Sequence, residues 1–319
     1  MTPGRSCPLH YRYPPSVFSR DADVVADTIY VIGGLYGNQQ ALDAIMAMAA
    51  REPTPPTLVF NGDFHWFDTD AATFEAINND VLKHTALRGN VETELAPDAD
   101  DAGCGCAYPD YVDDADVERS NDIMRTLRRT ASASADTVAR LTQLPMHLVV
   151  EVGGKRIGIV HGDAESLSGW RFAHDSLHET ANVEWLKQIC GDANLAGFAS
   201  SHTCLPTFRR FQTPSGRVFV ANNGAAGMPN FGGTEYGLIT RLSTRASAEG
   251  IAQYSDNFDG LFVEALPVHY DTSLFQRAFL ANWPTDSAAN ISYQSRIFNG
   301  PAYAPPHALG LVRAPSVCA

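Results

Sequence analysis

The sequence predicts an α/β fold in which two β-sheets pack face to face with helices outside. Three observations point there. Short apolar, β-branched runs alternate with helical patterns in the first half of the chain, and each of those runs ends in a polar, glycine-bearing loop. The second half then reads as mostly strand, which fits a sandwich better than one doubly wound sheet. The chain of 319 residues, 45% hydrophobic, is long enough to bury the core such a fold needs.

Taken in order, residues 1–27 read as an N-terminal extension in which Arg, Pro and aromatics mix. No apolar stretch typical of a secretory signal stands there, so a cytoplasmic location is expected. Thr28–Ile32 is a buried strand closed by Gly33-Gly34. Residues 39–51 place Leu42, Ile45 and Met48 at helical spacing behind Asn38, a suitable N-cap, with Pro53 beyond the end. Thr57–Phe60 and Thr85–Leu87 are further strands, leading into Asn61-Gly62-Asp63 and Arg88-Gly89-Asn90. An acidic loop over 96–115 precedes a helical stretch from about Val117 to Leu144, with Ile123, Leu127, Val138 and Leu141 buried. Together they read as a helical insertion at about 96–145. Strands at His147–Val152 and Arg156–Val160 flank Gly153-Gly154 and end at His161-Gly162-Asp163. Helical residues near 180–190 precede strands at Gly197–Ala199, Phe208–Gln212, Val218–Asn222, Tyr236–Leu242 and 262–267. The main domain is therefore bounded at 28–267, and 268–319, with little periodicity and several prolines, reads as a tail packed on the core.

Charge narrows the partners. The 36 acidic residues outweigh the 23 basic ones, a net −13 that disfavours non-specific nucleic acid binding, which needs Lys and Arg to displace counterions. No apolar run reaches the roughly 18–20 residues of a membrane span. The six cysteines are scattered, and without a secretory signal they are expected to be free thiols. Cys104 and Cys106, flanking Gly105, could make a soft metal or redox site, but with no second pair ordinary thiols are the expectation.

Chemistry gathers at the strand ends, where sites of layered α/β folds lie. The loops read Gly33-Gly34-Leu35-Tyr36-Gly37-Asn38, Asn61-Gly62-Asp63, Arg88-Gly89-Asn90-Val91-Glu92, His161-Gly162-Asp163 and Ser201-His202-Thr203-Cys204, with Asn222-Asn223-Gly224 downstream. This ordered series resembles the calcineurin-like metallophosphoesterase superfamily, bacterial phosphodiesterase-like branch, whose loops run D-x-H-G-N, G-D, G-N-H/x-D/E, H-G and G-H-x-H. The resemblance spans about residues 28–242. It implies a four-layer α-β-β-α sandwich and a site that holds divalent metal for phosphoester hydrolysis.

Carried over residue by residue, the resemblance implies that one metal position is complete, with Asp63, Asn90, His161 and His202 as ligands. At the other position the D-x-H pair is Gly34 and Tyr36, and the last histidine is Cys204. Every ligand private to that position has changed, so the expectation is a degenerate, mononuclear site holding Mn, Fe or Zn. Tyr36 and Cys204 keep donor atoms that favour iron or zinc over magnesium, and are the candidate extra ligands. Val91 stands where many members have a histidine that assists the leaving group. Proton transfer would then fall to His65, to the His161–Asp163 neighbourhood or to a metal-bound water, with Asp63 and His65 named as the catalytic residues.

The expected function is metal-dependent hydrolysis of a phosphomonoester or phosphodiester, nucleotides among the candidates, with a small phosphate-bearing ligand as partner. The departures at Gly34, Tyr36, Val91 and Cys204 support an alternative: a non-catalytic member that binds metal or a phosphate ligand as sensor or scaffold. A third reading gives the site a redox-active iron bound through Tyr36 or Cys204.

Overall fold

A computed structural model describes residues 2–96 and 102–313; part of the acidic loop and Cys318 lie outside the described residues. After two short helical turns the chain enters β1 (Val24–Val25), β2 (Thr28–Ile32), α1 (Gln39–Ala49), β3 (Thr57–Asn61), α2 (Ala71–Val81), β4 (Thr85–Leu87) and α3 (Asn90–Glu94). Two helices follow, α4 (Asp114–Ala131) and α5 (Ala135–Thr142), then β5 (His147–Val152), β6 (Lys155–Val160), α6 (Thr180–Asp192) and β7 (Gly197–Ser200). The rest is β8 (Thr207–Thr213), β9 (Gly216–Asn222), β10 (Gly237–Ser243), β11 (Tyr254–Phe258), β12 (Leu261–Val268), α7 (Thr272–Asn282), α8 (Ala288–Asn299) and α9 (Pro305–Ala308).

The strands form two six-stranded mixed sheets, ordered β1-β5-β6-β7-β9-β8 and β11-β12-β10-β2-β3-β4. Alternation along the strands makes the layers, because successive side chains point to opposite faces. Ile29, Val31 and Val59 enter the core between the sheets, together with Val150, Ile159, Ala199 and Phe219 from the opposite sheet. Their neighbours Tyr30, Ile32, Leu58 and Phe60 face the other way, against Leu42 and Ile45 of α1 and Phe74 and Ile77 of α2. On the outer face of the first sheet, Val149, Val160 and Phe198 pack on Leu186 and Ile189 of α6. Helix, sheet, sheet and helix are thus stacked as four layers. Both sheets are covered on both faces, which is why inner strands such as β2 (TIYVI) read as unbroken apolar runs, whereas the edge strands β8 and β11 alternate with exposed polar residues.

Several local expectations are met by specific contacts. Asn38 caps α1, its Oδ1 accepting from the Ala41 amide at 2.9 Å. Ile123, Leu127, Val138 and Leu141 are buried, but on two helices, since the chain breaks at Ser132–Ser134.

Other readings need correction. The first 27 residues do more than extend the chain. Val24–Val25 pairs in parallel with β5 as an edge strand, and Tyr11 and Phe18 are fully buried. A two-residue strand offers too little pattern to be read from sequence. The region after residue 268 forms three helices, with Phe275, Phe279, Tyr293 and Ile297 in the core behind the second sheet. Prolines 284, 301, 305 and 306 punctuate the segment, and the helical spacing is carried by only a few large apolar residues, Phe275 with Phe279 on α7 and Tyr293 with Ile297 on α8. Cys104 and Cys106 are joined in a disulfide, contrary to the expectation of free thiols; Gly105 between them, at positive φ, folds the chain so that the two Cα atoms stand 5.4 Å apart. Cys7, Cys190 and Cys204 are free.

Candidate metal centre

β2, β3 and β4 run parallel, as do β6 and β7, so the loops that follow them emerge at one end of the sandwich. Asp63 and Asn90 follow strands of the second sheet, whereas His161 and His202 follow strands of the first. The backbone is unusual there. Asp63 (φ 54°), His202 (φ 25°), Tyr36 (φ 56°) and Cys204 (φ 61°) all adopt positive φ without being glycine. Such residues cost on the order of 1–3 kcal/mol each and gather at functional sites.

The four expected ligands come together around His161 Nε2. Asn90 Oδ1 lies 3.1 Å from it, His202 Nδ1 3.2 Å and Asp63 Oδ1 3.3 Å. All four residues are buried. Their outward atoms fix which atoms face inward. His161 Nδ1 donates to the Asn61 carbonyl at 2.9 Å, His202 Nε2 to the Cys106 carbonyl at 3.0 Å, and Asn90 Nδ2 to the Cys104 carbonyl at 2.9 Å. A carbonyl only accepts, so each of these nitrogens carries the hydrogen. The inward atoms are then left as lone pairs.

Converging lone pairs repel unless a cation sits among them. Ligand atoms about 2.0–2.2 Å from one ion, at tetrahedral to octahedral angles, lie roughly 3.0–3.5 Å apart, which these separations match. Among the described residues, Asp63, His161 and His202 form the one group of three His, Cys, Asp or Glu donors lying within 4.8 Å of one another. The titration behaviour agrees. Burial opposes charge on His161, but Asp63 overcomes it and raises its pKa. Burial, then the neighbouring His161, depresses His202 to about 3. Of the two imidazoles, His161 beside Asp63 is therefore the one that takes a proton more readily, at the place a metal would contest.

Sequence reasoning assigned no role to several supporting residues. Glu92 is fully buried and its carboxylate accepts from three amides: Asp63 N and Phe64 N at 2.9 Å and Gly89 N at 2.8 Å. It thereby locks the Asp63 loop to the Asn90 loop. Gly89 itself must lack a side chain, because a Cβ would come within 2.4 Å of Asp63 Oδ1. Asn61 bridges the two sheets by donating to the Val160 carbonyl at 2.7 Å. Asn222 donates to Thr203 Oγ1 at 2.9 Å and so steadies the His202 loop. Arg296 of α8 donates to the Cys204 carbonyl at 2.6 Å. The motif spelled out Asn61, Glu92 and Asn222; nothing in the sequence pointed to Arg296.

The altered half of the site is filled by its own side chains. Tyr36 Oη and Cys204 Sγ share a hydrogen bond of 3.2 Å. Burial, followed by Cys204, pushes the Tyr36 phenol far up, and burial also raises the Cys204 thiol against the opposing pull of Arg296. Both groups keep their protons and bond to each other.

The cavity over the cluster is lined by Asp63, Asn90 and His202, by Tyr36, Cys204 and Val91, and by aromatic residues including Trp66, Trp170 and Tyr293. His65 does not line it. Its Nδ1 is 2.8 Å from Asp68 Oδ2, and its ring packs on Phe74 with centroids 4.2 Å apart, fully buried. Asp163 spends its carboxylate on the amides of Glu165, Ser166 and Arg171. Arg210 pairs with Asp256 at 2.9 Å, so the strand pair Arg209-Arg210 brings no guanidinium to the cavity.

In sequence, neither a family model nor a curated protein matches the chain. In structure it does have neighbours. A metallophosphoesterase from Sphaerobacter thermophilus superposes with a TM-score of 0.53 at 16% identity, covering 86% of this chain and 99% of that one. The chain has the metallophosphoesterase fold. A hypothetical protein from Pyrococcus horikoshii OT3 shares it, with a TM-score of 0.56 at 16% identity over 87% of this chain and 99% of its own. At such identity the likeness concerns architecture, and the metallophosphoesterase fold explains why the ligand-bearing loops meet at one end of the sandwich. Among the described residues no helix is long and apolar enough to cross a membrane.

Proposed function

We propose that the protein is a metal-dependent phosphoric ester hydrolase with a mononuclear centre held by Asp63, Asn90, His161 and His202. The observation that carries this is the convergence of Asn90 Oδ1, His202 Nδ1 and Asp63 Oδ1 on His161 Nε2, with each outward nitrogen occupied by a carbonyl. Two imidazoles, an amide oxygen and a carboxylate suit Mn, Fe or Zn. A bound ion supplies Lewis-acid polarisation of a phosphoryl oxygen and acidification of water.

The chain's own residues do the rest. Asp63 brings the negative charge that offsets the cation, while Glu92 and Asn61 hold the loops in register. The aromatic walls, Trp66, Trp170 and Tyr293, restrict water around the site. Among the described residues no Lys or Arg lines the cavity, so the cation is the phosphate's charge partner. That favours a small phosphomonoester or phosphodiester over a polyanion.

The test is metal analysis of the purified protein together with turnover of aryl phosphate mono- and diesters across Mn, Fe and Zn. One ion per chain and turnover abolished in Asp63→Ala are expected. Binding of one ion with no turnover of either ester class would instead identify a sensor or scaffold, and no bound ion would overturn the reading.

A further inference from the structure

We infer that Cys104 and Cys106 form a redox modification site that sets the metal affinity of the centre, oxidised pairing favouring the bound ion. The inference rests on the metal-centre reading given above. Cys104-Gly105-Cys106 is not a remote staple. The Cys104 carbonyl takes the Asn90 amide hydrogen, and the Cys106 carbonyl takes the hydrogen of His202 Nε2. Asn90 Nδ2 also lies 3.7 Å from Cys106 Sγ. Two of the four candidate ligands are therefore oriented by the two residues that the disulfide joins. Partners of this kind fix the tautomer and direction of a ligand, and losing one typically costs 10–100-fold in metal affinity or activity.

The pair has little else to do. A bond across one intervening residue closes a very small ring and constrains the unfolded chain far less than a long-range crosslink does. The loop is already held by other bonds: the Cys104 amide donates to Asn121 Oδ1 at 3.0 Å, Ser168 Oγ to the Gly105 carbonyl at 2.7 Å, and Trp170 Nε1 to the Cys106 carbonyl at 3.0 Å. Reduction thus leaves the fold in place and frees only the local path from residue 104 to 106. Cys106 also lines the cavity of the metal centre, whereas Cys104 is fully buried, so Cys106 is the member of the pair nearer an entering reductant.

The co-reactant is a dithiol. Its thiolate attacks Cys106 Sγ, the Cys104–Cys106 bond breaks, and Cys104 leaves as thiolate and takes up a proton. The second thiol of the reductant then displaces Cys106, which is protonated in turn. The protein gains two electrons and two protons, and the dithiol becomes a cyclic disulfide. With the ring open, the sulfurs no longer restrain the Gly105 torsions, so the two carbonyls, and with them Asn90 and His202, gain room to shift within the limits that the remaining bonds set.

The experiment uses the full chain and Mn²⁺ alone as probe. Protein is prepared oxidised, or reduced with a dithiol and desalted without air, and free Mn²⁺ is titrated by electron paramagnetic resonance. Intact mass is expected to show the oxidised form two hydrogens lighter, and Mn²⁺ to bind about tenfold more weakly after reduction. Cys104→Ser/Cys106→Ser should bind like the reduced protein in both preparations; if it does not fold, the wild-type comparison decides alone. Equal Mn²⁺ affinity in the two redox states, or a pair that stays fully alkylatable after oxidation, overturns this inference and leaves the metal centre standing. No Mn²⁺ binding in either state overturns both.

Discussion

The Tyr36 ring lies so close over Gly34 that a Cβ placed on Gly34 would meet its Cε2 and Cζ at 2.9 Å. These are the two positions where the calcineurin-like pattern has its D-x-H pair. The loss of one side chain and the insertion of another are therefore a single change: the phenol occupies room that a carboxylate at residue 34 would need. Gly34 also sits at φ +68°, which a side chain resists. Gly34→Ala is expected to lose about 1–3 kcal/mol in denaturant unfolding. Unchanged stability would mean that the ring moves aside freely.

Removing a ligand should remove the ion. His161→Ala and His202→Ala are each expected to weaken Mn²⁺ binding by at least about 100-fold, more than the loss of a supporting partner does. Circular dichroism of the apo proteins should remain native. Isothermal titration checks this, and wild-type affinity in either variant would remove that residue from the centre.

Glu92 gives a sharper test because it touches no candidate inward donor. Glu92→Gln keeps the volume but replaces one acceptor oxygen with a donor that faces amide hydrogens. A loss of about 2–3 kcal/mol is expected in urea unfolding, since hydrogen bonds to charged groups are worth about 1.5–3 kcal/mol. Weaker metal binding should accompany it, because the Asp63 and Asn90 loops are no longer tied.

A metal that binds only the folded protein must also stabilise it. Mn²⁺ at 100 times its dissociation constant is expected to add about 2.7 kcal/mol, read as a rise in Tm that vanishes with chelator. A Tm indifferent to Mn²⁺, Fe²⁺ and Zn²⁺ would contradict the proposed centre.

Away from the site, buried Arg241 bonds Glu52 Oε1 at 2.6 Å and Glu264 Oε2 at 2.5 Å. Arg241→Ala takes the cation from buried Glu264, leaving it the Ser247 amide and hydroxyl, and should cost about 3–5 kcal/mol. Burial works against charge on Glu52, but Arg241 and Tyr30 prevail and hold its pKa below the usual glutamate range. A depressed carboxylate contributes stability above its unfolded pKa and loses it as pH falls through the folded value. Acid unfolding should therefore set in at higher pH in Glu52→Gln than expected from the wild-type curve, with the two curves converging below the folded pKa.

Much of the site was legible because its chemistry sits in short loops whose order the chain preserves. Asp63, Asn90, His161 and His202 each follow an apolar strand, and the structure places their inward atoms together. His65 shows where spacing misleads. Two residues past Asp63, it turns away into α2 and pairs with Asp68, because the left-handed turn at Asp63 redirects the chain. The disulfide was hidden for a related reason: its geometry depends on Gly105 at positive φ, and a pair two residues apart carries no framework pattern. Arg296 could not be read at all, since its partner is a carbonyl 92 residues away.

Asp63 and Asn90 come from one sheet, His161 and His202 from the other. The width of the ligand gap is therefore governed by a spacer made of residues that never meet the ion. Val59 on β3 and Ala199 on β7 belong to that spacer, one behind each half of the ligand set. Sheets packed face to face hold their separation through the bulk of such side chains. A methylene gained or lost in this layer would shift one pair of candidate donors against the other, so the width of the donor cluster is written partly in hydrocarbon.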